Sequence, residues 1–454
     1  FDRTVHKGDL TGIEIINRLA EQVWARDIAR LEEHRALAFI PSADGGALAG
    51  VLLLDVRSGE YIYVAAKAVL LATGGGPTMY RYHTPSGDKS CDGLAMALAA
   101  GLPLRDMEMV QFHPTGLLAG EHTRMTGTVL EEGLRGAGGL LLDGGGQRFM
   151  QRIDARAERA TRDIVSRAIF AEMRAGRTSP HGGVWLSMAH LGADDVRRQF
   201  KGMVERCADC GFDLGDRVEV VPTAHYMMGG VEFAADCTTA LRGLFVAGED
   251  AGGVHGANRL GGNGVANSTV FGGIAGETMA AWIAREGTLR DPDDAAIAAA
   301  LARAEAPFGA GAPVDVESVR DTLYATMWED AGIVRDAASL ARAAAVLTGL
   351  ARQLDDGALP ARARDRAFNL TWHDWLNLRN LVEVSQAIVR AAQEREDSCG
   401  AHFRADFPQA AAPSAAAFTR VRRARADGAT LTCERVAVCF TRVRPGESLI
   451  GAAA

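Results

Sequence analysis

Arg259 stands inside the run His255-Gly-Ala-Asn-Arg-Leu-Gly-Gly-Asn-Gly264, a fixed cation in a loop otherwise made for close backbone approach. The run follows an apolar stretch that ends in an acid, Leu244-Phe-Val-Ala-Gly-Glu249, and precedes a Gly/Ala-rich helical pattern over Ala266 to Ile283. Strand, glycine-rich turn and helix, in that order, bring backbone N–H groups against a phosphate or a cofactor. Four more stretches share its chemical character: Gln111-Phe-His-Pro-Thr-Gly116, Leu130-Glu-Glu-Gly-Leu-Arg135, Thr161-Arg-Asp163 and Pro222-Thr-Ala-His-Tyr-Met-Met-Gly-Gly230. Taken singly, each has an ordinary explanation. A histidine beside proline, such as His113, is commonly a loop hydrogen-bonder, and Glu132 with Arg135 is a surface pair worth little. If the ligand is an anion, these local arginines and histidines must attract it, because the net charge of −8 will not.

That net charge, from 49 basic and 57 acidic residues, argues against a nucleic-acid partner. A chain of 454 residues buries a large core and divides into two to four domains. No apolar run is long enough to cross a bilayer, and no basic-then-apolar signal peptide opens the chain. The first residue is Phe1, which points to a fragment or a processed product. Seven irregularly spaced cysteines read as reduced intracellular thiols. The single CxxC, Cys207 and Cys210, has no second pair beside it, so no metal site is expected.

Several elements must position these motifs. Thr11-Gly-Ile-Glu14 has capping-box spacing and opens a helix on Ile13, Ile16, Leu19 and Val23. Strand-like runs follow at 36–40, 47–56 and 60–71, with hairpin turns at Asp44-Gly45 and Ser58-Gly59. The last ends as a buried apolar strand, Ala68 to Ala72, feeding Thr73-Gly-Gly-Gly76, a place for a ligand. Asp92 is expected to cap a short helix from Gly93 to Ala100. A clear helix over 162–175 has Thr161 as its N-cap and Arg162 at its first position. A cation there opposes the helix dipole, which hints at a functional reason. Residues 291–400 read as an alanine-rich helical block, best over Ala338 to Leu354 and Leu376 to Glu394. A linker at 409–417 leads to two strands around Asp427-Gly428.

In this order and spacing the motifs resemble the flavoprotein subunit family of succinate dehydrogenase and fumarate reductase, which includes L-aspartate oxidase. The resemblance runs from about residue 7 to about residue 408. It also takes in Ala72-Thr-Gly-Gly75, Asp92-Gly-Leu-Ala-Met-Ala97 and Ser398-Cys-Gly-Ala-His-Phe-Arg404. It implies an α/β fold, α+β overall, with a discontinuous Rossmann-like FAD-binding domain at 1–105 and 227–290 whose first βαβ unit is missing. A capping domain at 106–226 is inserted into it, and a helical domain at 291–408 precedes a linker and hairpin tail at 409–454. The implied cofactor is FAD, covalent or not, and the implied substrate is a small dicarboxylate between cap and flavin. On that mapping His225 and Arg259 clamp one carboxylate and His113 contacts the other. Arg162 shuttles the proton, with Glu132 and Arg135 as its relay. Thr73, Gly74, Gly75, Asp92, Glu249, Asn263 and Asn267 are the implied FAD contacts.

The physical logic stands beside the resemblance. Taking vicinal hydrogens from a succinate-like chain needs a hydride acceptor on one face and a base on the other. Two carboxylates near a low-dielectric flavin need paired cations to replace their lost hydration. Arginine, with a pKa above about 12, releases a proton only transiently. A neighbouring acid and a second arginine must reshape its surroundings, which is why Glu132 and Arg135 read as functional.

Three departures from the family pattern set further expectations. No strand–GxGxxG–helix opens the chain, so the chain as given is expected to bind FAD poorly. Glu131 stands where the family has threonine beside a substrate carboxylate; it makes an amino or substituted dicarboxylate, as in L-aspartate oxidase, the alternative substrate. The tail after Asp406-Phe-Pro408 lacks the family's Asp-rich segment, and the plausible partner is still an iron–sulfur electron-transfer subunit. A flavin-free binding remnant is the reading from another class, against which the intact histidines and arginines argue. The expected location is cytoplasmic, with membrane association only through partner subunits.

Overall fold

The computed structural model of the protein describes residues 7, 11–120, 123, 125–424, 430–444 and 447. Helix α1 (Thr11–Ala25) forms on the expected apolar spacing, yet none of its residues is buried. The capping box is replaced: Thr11 is already helical and its hydroxyl accepts the backbone N–H of Lys7, while Glu14 pairs with Lys7 and Arg18. Strands β1 (His34–Pro41), β2 (Leu48–Asp55) and β3 (Tyr61–Ala65) make an antiparallel meander. Its turns fall on Gly45 and Gly59, both at positive φ, where a side chain would be strained.

Strand β4 (Val69–Leu71) is less buried than its apolar sequence suggests, with Leu71 alone buried. Among the described residues it pairs only with β11 (Leu244–Val246), in parallel, so its other edge is uncovered. Helix α2 (Asp92–Ala99) follows. Asp92 is its first residue and not its cap; Cys91, left-handed at φ 55°, holds the N-cap position. The Asp92 carboxylate instead accepts bonds from Arg35, Ser90 and Asn380 at 2.8, 2.6 and 2.6 Å.

After β5 (Leu104–Arg105), the chain builds a separate antiparallel sheet from β6 (Val110–Leu117), β7 (Leu140–Leu142), β8 (Val184–Ser187) and β9 (Arg217–Met227), in the order β6-β9-β8-β7. Helices α3 (Glu132–Gly136), α4 (Arg162–Arg174), α5 (Ala193–Gln199) and α6 (Lys201–Ala208) accompany it. This unit has its own core, which includes Leu117, Leu134, Ile169, Leu186 and Val220. A larger core unites the remaining elements, from Leu71 and Leu94 through Val246 to Leu347, Trp372 and Ile388. The chain returns to it through β10 (Gly230–Val231) and β11, then enters α7 (Asn263–Glu286).

Helices α8 (Asp294–Glu305), α9 (Val316–Glu329), α10 (Ala337–Asp356) and α11 (Leu370–Glu394) form the helical block. Each begins where the side chain of Asp293, Asp315, Asp336 or Asn369 accepts a first-turn N–H, the strongest type of N-cap. The tail strands β12 (Ala417–Arg423) and β13 (Leu431–Ala437) pair as expected; their turn at Asp427-Gly428 lies outside the described residues. They do not hang free, because β12 pairs with β5 and completes a sheet in the order β10-β5-β12-β13.

A buried ionic cluster fixes that junction. Arg395 reaches Glu108 at 2.5 Å, Asp106 at 3.3 Å and Asp397 at 3.6 Å, and Thr419 of β12 bonds both Asp106 and Glu108. Removing the cation would leave the buried Glu108 without an ion pair among the described residues, and Asp106 and Asp397 with only the partly exposed Arg105 and Arg435. Arg395→Met is therefore expected to cost about 3–5 kcal/mol of stability, read as a lowered urea midpoint. A shift within about 0.5 kcal/mol would mean that the cluster contributes nothing net.

Candidate active site

The five motifs converge. The loop before α7 is held against the cap by a chain of polar contacts that begins at Gln111 on β6. Its amide donates to the Arg259 carbonyl at 2.7 Å and the Asn258 side chain at 3.0 Å. Asn258 in turn donates to Asp163 on α4 at 2.8 Å. The loop passes so close to the cap that a Cβ at Gly261 would lie 2.9 Å from Glu132 Oε2 and 3.4 Å from Arg162 Nη2. A side chain there would have to displace the Glu132 carboxylate from its present position.

Arg162 begins α4, one residue after the N-cap Thr161, whose side chain makes no capping bond. The first turn aims the guanidinium inward, where it is buried. Its Nε and Nη2 donate to Glu132 Oε2 at 3.2 and 2.9 Å, and its Nη1 donates to Gln111 at 3.1 Å. The second oxygen of Glu132 accepts from Arg135 at 3.2 Å, and Arg135 also donates to the Glu158 carbonyl at 2.6 Å. Burial alone would raise the Glu132 pKa, but Arg162 and Arg135 outweigh it and hold the carboxyl below its usual range. The carboxylate thus sits between two guanidiniums as their shared counter-ion.

Arg259 lines the same cavity as Arg162, its guanidinium 4.4 Å from the centre of the Tyr226 ring. Its Nε is buried without a hydrogen-bond partner. Burial, and then the neighbouring charge of Arg162, pull its pKa down to about 10. Beside it, His225 is driven to about 3 by burial and by both arginines, so its imidazole is neutral at physiological pH. His113 stands behind it, 5.4 Å away ring to ring and fully buried, and its pKa also falls well below normal for the same reasons. Arg162, His225, Tyr226, Glu249 and Arg259 line one cavity of about 470 Å³ together with Val265 of α7 and Ile15, Ile16 and Leu19 of α1. Two cations, a neutral imidazole and an apolar wall suit a small organic dianion beside a flat ring system.

The backbone of the same cavity fits a flavin cofactor. Strands β4 and β11 end side by side, and the turns after them interlock: a Cβ at Gly75 would lie 2.7 Å from Glu249 Oε1. Gly74 takes φ 79°. Helix α7 starts at Asn263 behind Gly262, at φ 80°, with no side chain capping its first N–H groups. The buried Oδ1 of Asn267 has no partner, while its Nδ2 is held by Tyr226 and the Gly248 carbonyl. A helix start without a side-chain cap, an orphaned acceptor and exposed valines at 265 and 270 form a cradle for a polar-edged, flat group.

Asp250, which no sequence motif singles out, closes this turn by accepting from Gly74 N at 2.8 Å and Thr73 Oγ1 at 3.1 Å. Burial nevertheless pushes its carboxyl up to about 7. An unfolded aspartate titrates near about 3.9, so the folded state holds the proton more tightly and stability falls as pH rises from about 4 to about 7. Asp250→Asn keeps an acceptor without the charge. The variant should gain on the native protein above about pH 7 and lose that advantage near about pH 4, measured as unfolding midpoints across pH.

Of the residues singled out in the sequence, Arg162, His225, Arg259 and Glu249 face the cavity directly, with Glu132 and Arg135 one contact behind. Glu131 is outside the cavity lining; it precedes α3, and its Oε1 would lie 3.3 Å from a Cβ at Gly133. Asp92 and Thr73 are engaged in protein contacts, and Asn263 is exposed at the start of α7. Gln111, Asn258, Tyr226 and Thr84 connect the site without having been assigned roles. Gln111 and Asn258 lay inside the quoted motifs, where a buried amide able to donate and accept at once was a usable signal. Cys207 and Cys210 are free thiols, and among the described residues no group of side chains could hold a metal.

A model of the FAD binding domain matches residues 2–265, and a model of the fumarate reductase flavoprotein C-terminal region matches residues 320–448. The chain is 37% identical over 415 residues to one subunit of the CoM/CoB fumarate reductase of Methanothermobacter marburgensis, covering 90% of this chain and 73% of that one. It superposes on a quinol fumarate reductase of Escherichia coli with a TM-score of 0.89 at 30% identity, over 98% of this chain and 78% of that one. Sdh1 of Mycobacterium smegmatis is similar too, at a TM-score of 0.82 and 34% identity, over 96% of this chain and 74% of the other.

Proposed function

This chain belongs to the succinate dehydrogenase and fumarate reductase flavoprotein family and is an FAD-dependent oxidoreductase, and on that premise we propose that it interconverts a small dicarboxylate and its unsaturated form, as succinate and fumarate. The observation that carries this reading is the meeting of Arg162, Arg259 and His225 in one cavity, two cations and a neutral imidazole together in its lining. Glu132 is Arg162's own counter-ion, and the repulsion that lowers the Arg259 pKa is relieved when a dianion enters.

When bound, FAD supplies the hydride donor or acceptor. The chain's residues supply the rest. Arg259 and the neutral His225 hold one carboxylate, and His113, behind them, completes the polar wall towards the other. In the reducing direction one olefinic carbon gains a hydride and the other gains a proton from the Arg162 guanidinium. The double bond becomes single and the charge balances. Glu132, bonded to both arginines and itself partly open to solvent, returns a proton to Arg162, while the buried Arg135 holds its second oxygen as part of the relay. The restrained acidity of arginine is overcome only at the moment of transfer, with the fixed carboxylate 2.9 Å away. Thr73, Gly74, Gly75, Glu249, Asn263 and Asn267 form the FAD side of the site; Asp92, which the resemblance also assigned to it, is held by Arg35, Ser90 and Asn380.

We take the electron partner to be an iron–sulfur subunit, through which any membrane attachment would come; among the described residues no helix is long and apolar enough to cross a membrane. Glu131, on which an amino-dicarboxylate reading rests, does not line the cavity. The test is a pair of assays on the FAD-loaded protein expressed from its complete reading frame. Fumarate-dependent oxidation of a reduced viologen and succinate-dependent reduction of an artificial acceptor are expected. Turnover of L-aspartate with peroxide release, and none of either dicarboxylate, would replace this reading.

A further inference from the structure

We infer that Thr84 is a positioning residue that fixes His225 in the tautomer with its proton on Nε2, the form able to donate to a bound carboxylate. The inference rests on the dicarboxylate reading for what Nε2 meets and, through that, for the choice of tautomer. Thr84 Oγ1 lies 2.8 Å from His225 Nδ1. The hydroxyl is not a loose surface group, since its own backbone is fastened to β9: Thr84 N donates to the Ala224 carbonyl at 2.9 Å, and Ala224 N donates to the Tyr82 carbonyl at 2.8 Å. Pro85 follows and narrows the backbone further.

A hydroxyl can give or receive, so the distance alone leaves two assignments. A carboxylate bound at Nε2 chooses between them. Arg162 and Arg259 face the imidazole and His113 packs against it, while Thr84 is the only group bonded to Nδ1 among the described residues. Two adjacent guanidiniums exclude a doubly protonated ring. If the neutral ring carried its proton on Nδ1, the lone pair of Nε2 would be turned towards a carboxylate. With Thr84 donating to Nδ1, Nε2–H is left for the cavity. His113 supplies an internal parallel: the backbone N–H of Thr115, which can only donate, approaches its Nδ1 at 3.3 Å and demands the same tautomer. One histidine is thus set by a main-chain donor and the other by a side chain, which makes only the second accessible to mutation.

The experiment compares Thr84→Val, which keeps the shape, with Thr84→Ser, which keeps the hydroxyl. Side-chain ¹⁵N spectra of histidine-labelled protein, with His225 assigned by His225→Gln, should show Nδ1 as an acceptor and Nε2 protonated in the native protein and in Thr84→Ser. In Thr84→Val the His225 signals should move towards a mixture of tautomers while those of His113 stay in place. Malonate, an inert dicarboxylate probe, should bind about tenfold more weakly to Thr84→Val and normally to Thr84→Ser. KM should rise more than kcat falls. A native spectrum with the proton on Nδ1, or a Thr84→Val spectrum identical to the native one, overturns the inference. Should malonate bind to none of the three proteins, the dicarboxylate reading fails, and the spectra still decide the tautomer.

Discussion

Arg162→Gln is expected to lower kcat for fumarate reduction by about 10³- to 10⁴-fold while leaving KM within a few-fold. The size follows from the loss of a positioned proton donor, and the asymmetry follows from the geometry. Arg162 spends its donors on Glu132 and Gln111 within the protein. The ground-state hold on the substrate therefore falls chiefly to Arg259 and His225. Glutamine can still bond Gln111 or Glu132, and Glu132 retains Arg135, so no buried charge is stranded and the fold should survive. Steady-state kinetics with a reduced viologen, beside an unfolding curve, check both halves. Equal losses in kcat and affinity would instead mark Arg162 as an ordinary binding residue.

Arg259→Met is expected to do the reverse. A charge-assisted bond to a carboxylate is worth about 1.5–3 kcal/mol, so KM should rise about 10- to 100-fold. The unliganded protein should be no less stable, and somewhat more stable at any pH below about 10, where the native Arg259 is charged; the advantage fades above that pH. Arg259 is a buried cation on which the repulsion of Arg162 exceeds the attraction of either Glu249 or Glu132; its Nε is unpartnered, and burial with that repulsion depresses its pKa to about 10. Methionine keeps the packing on Tyr226 without that repulsion. A site that is strained until its ligand arrives is expected to trade stability for binding. A thermal scan with and without malonate separates the effects: the variant should melt at or above the native temperature alone, and gain less from the ligand.

What could be read beforehand was local. The capping position of Thr161 and the apolar spacing behind it put Arg162 at the start of α4, and the glycines around Arg259 foretold a tight loop before a long helix. Helix α11 began six residues earlier than the best apolar run, because Asn369 caps it and Trp372 and Trp375 are buried on its first turns. Contacts between distant segments were not legible. Thr84 and His225 are 141 residues apart, and neither strand periodicity nor turn chemistry pairs them. The cluster around Arg395 was likewise hidden: two of its acids lie on the segment after β5, and the hairpin that covers them looked like an appendage. Asp92 shows the opposite error. Its position before an apolar run has the look of a cap, but Arg35 and Asn380 from distant segments claim the carboxylate.

The central claim is that this cavity passes electrons to and from a dicarboxylate. The most direct measurement is an anaerobic single turnover, in which the reduced, FAD-loaded protein is mixed with fumarate and flavin absorbance is followed as the product is counted. Full reoxidation with about one succinate formed per flavin is the predicted result. A flavin that stays reduced with fumarate and is reoxidised only when air is admitted would contradict the account.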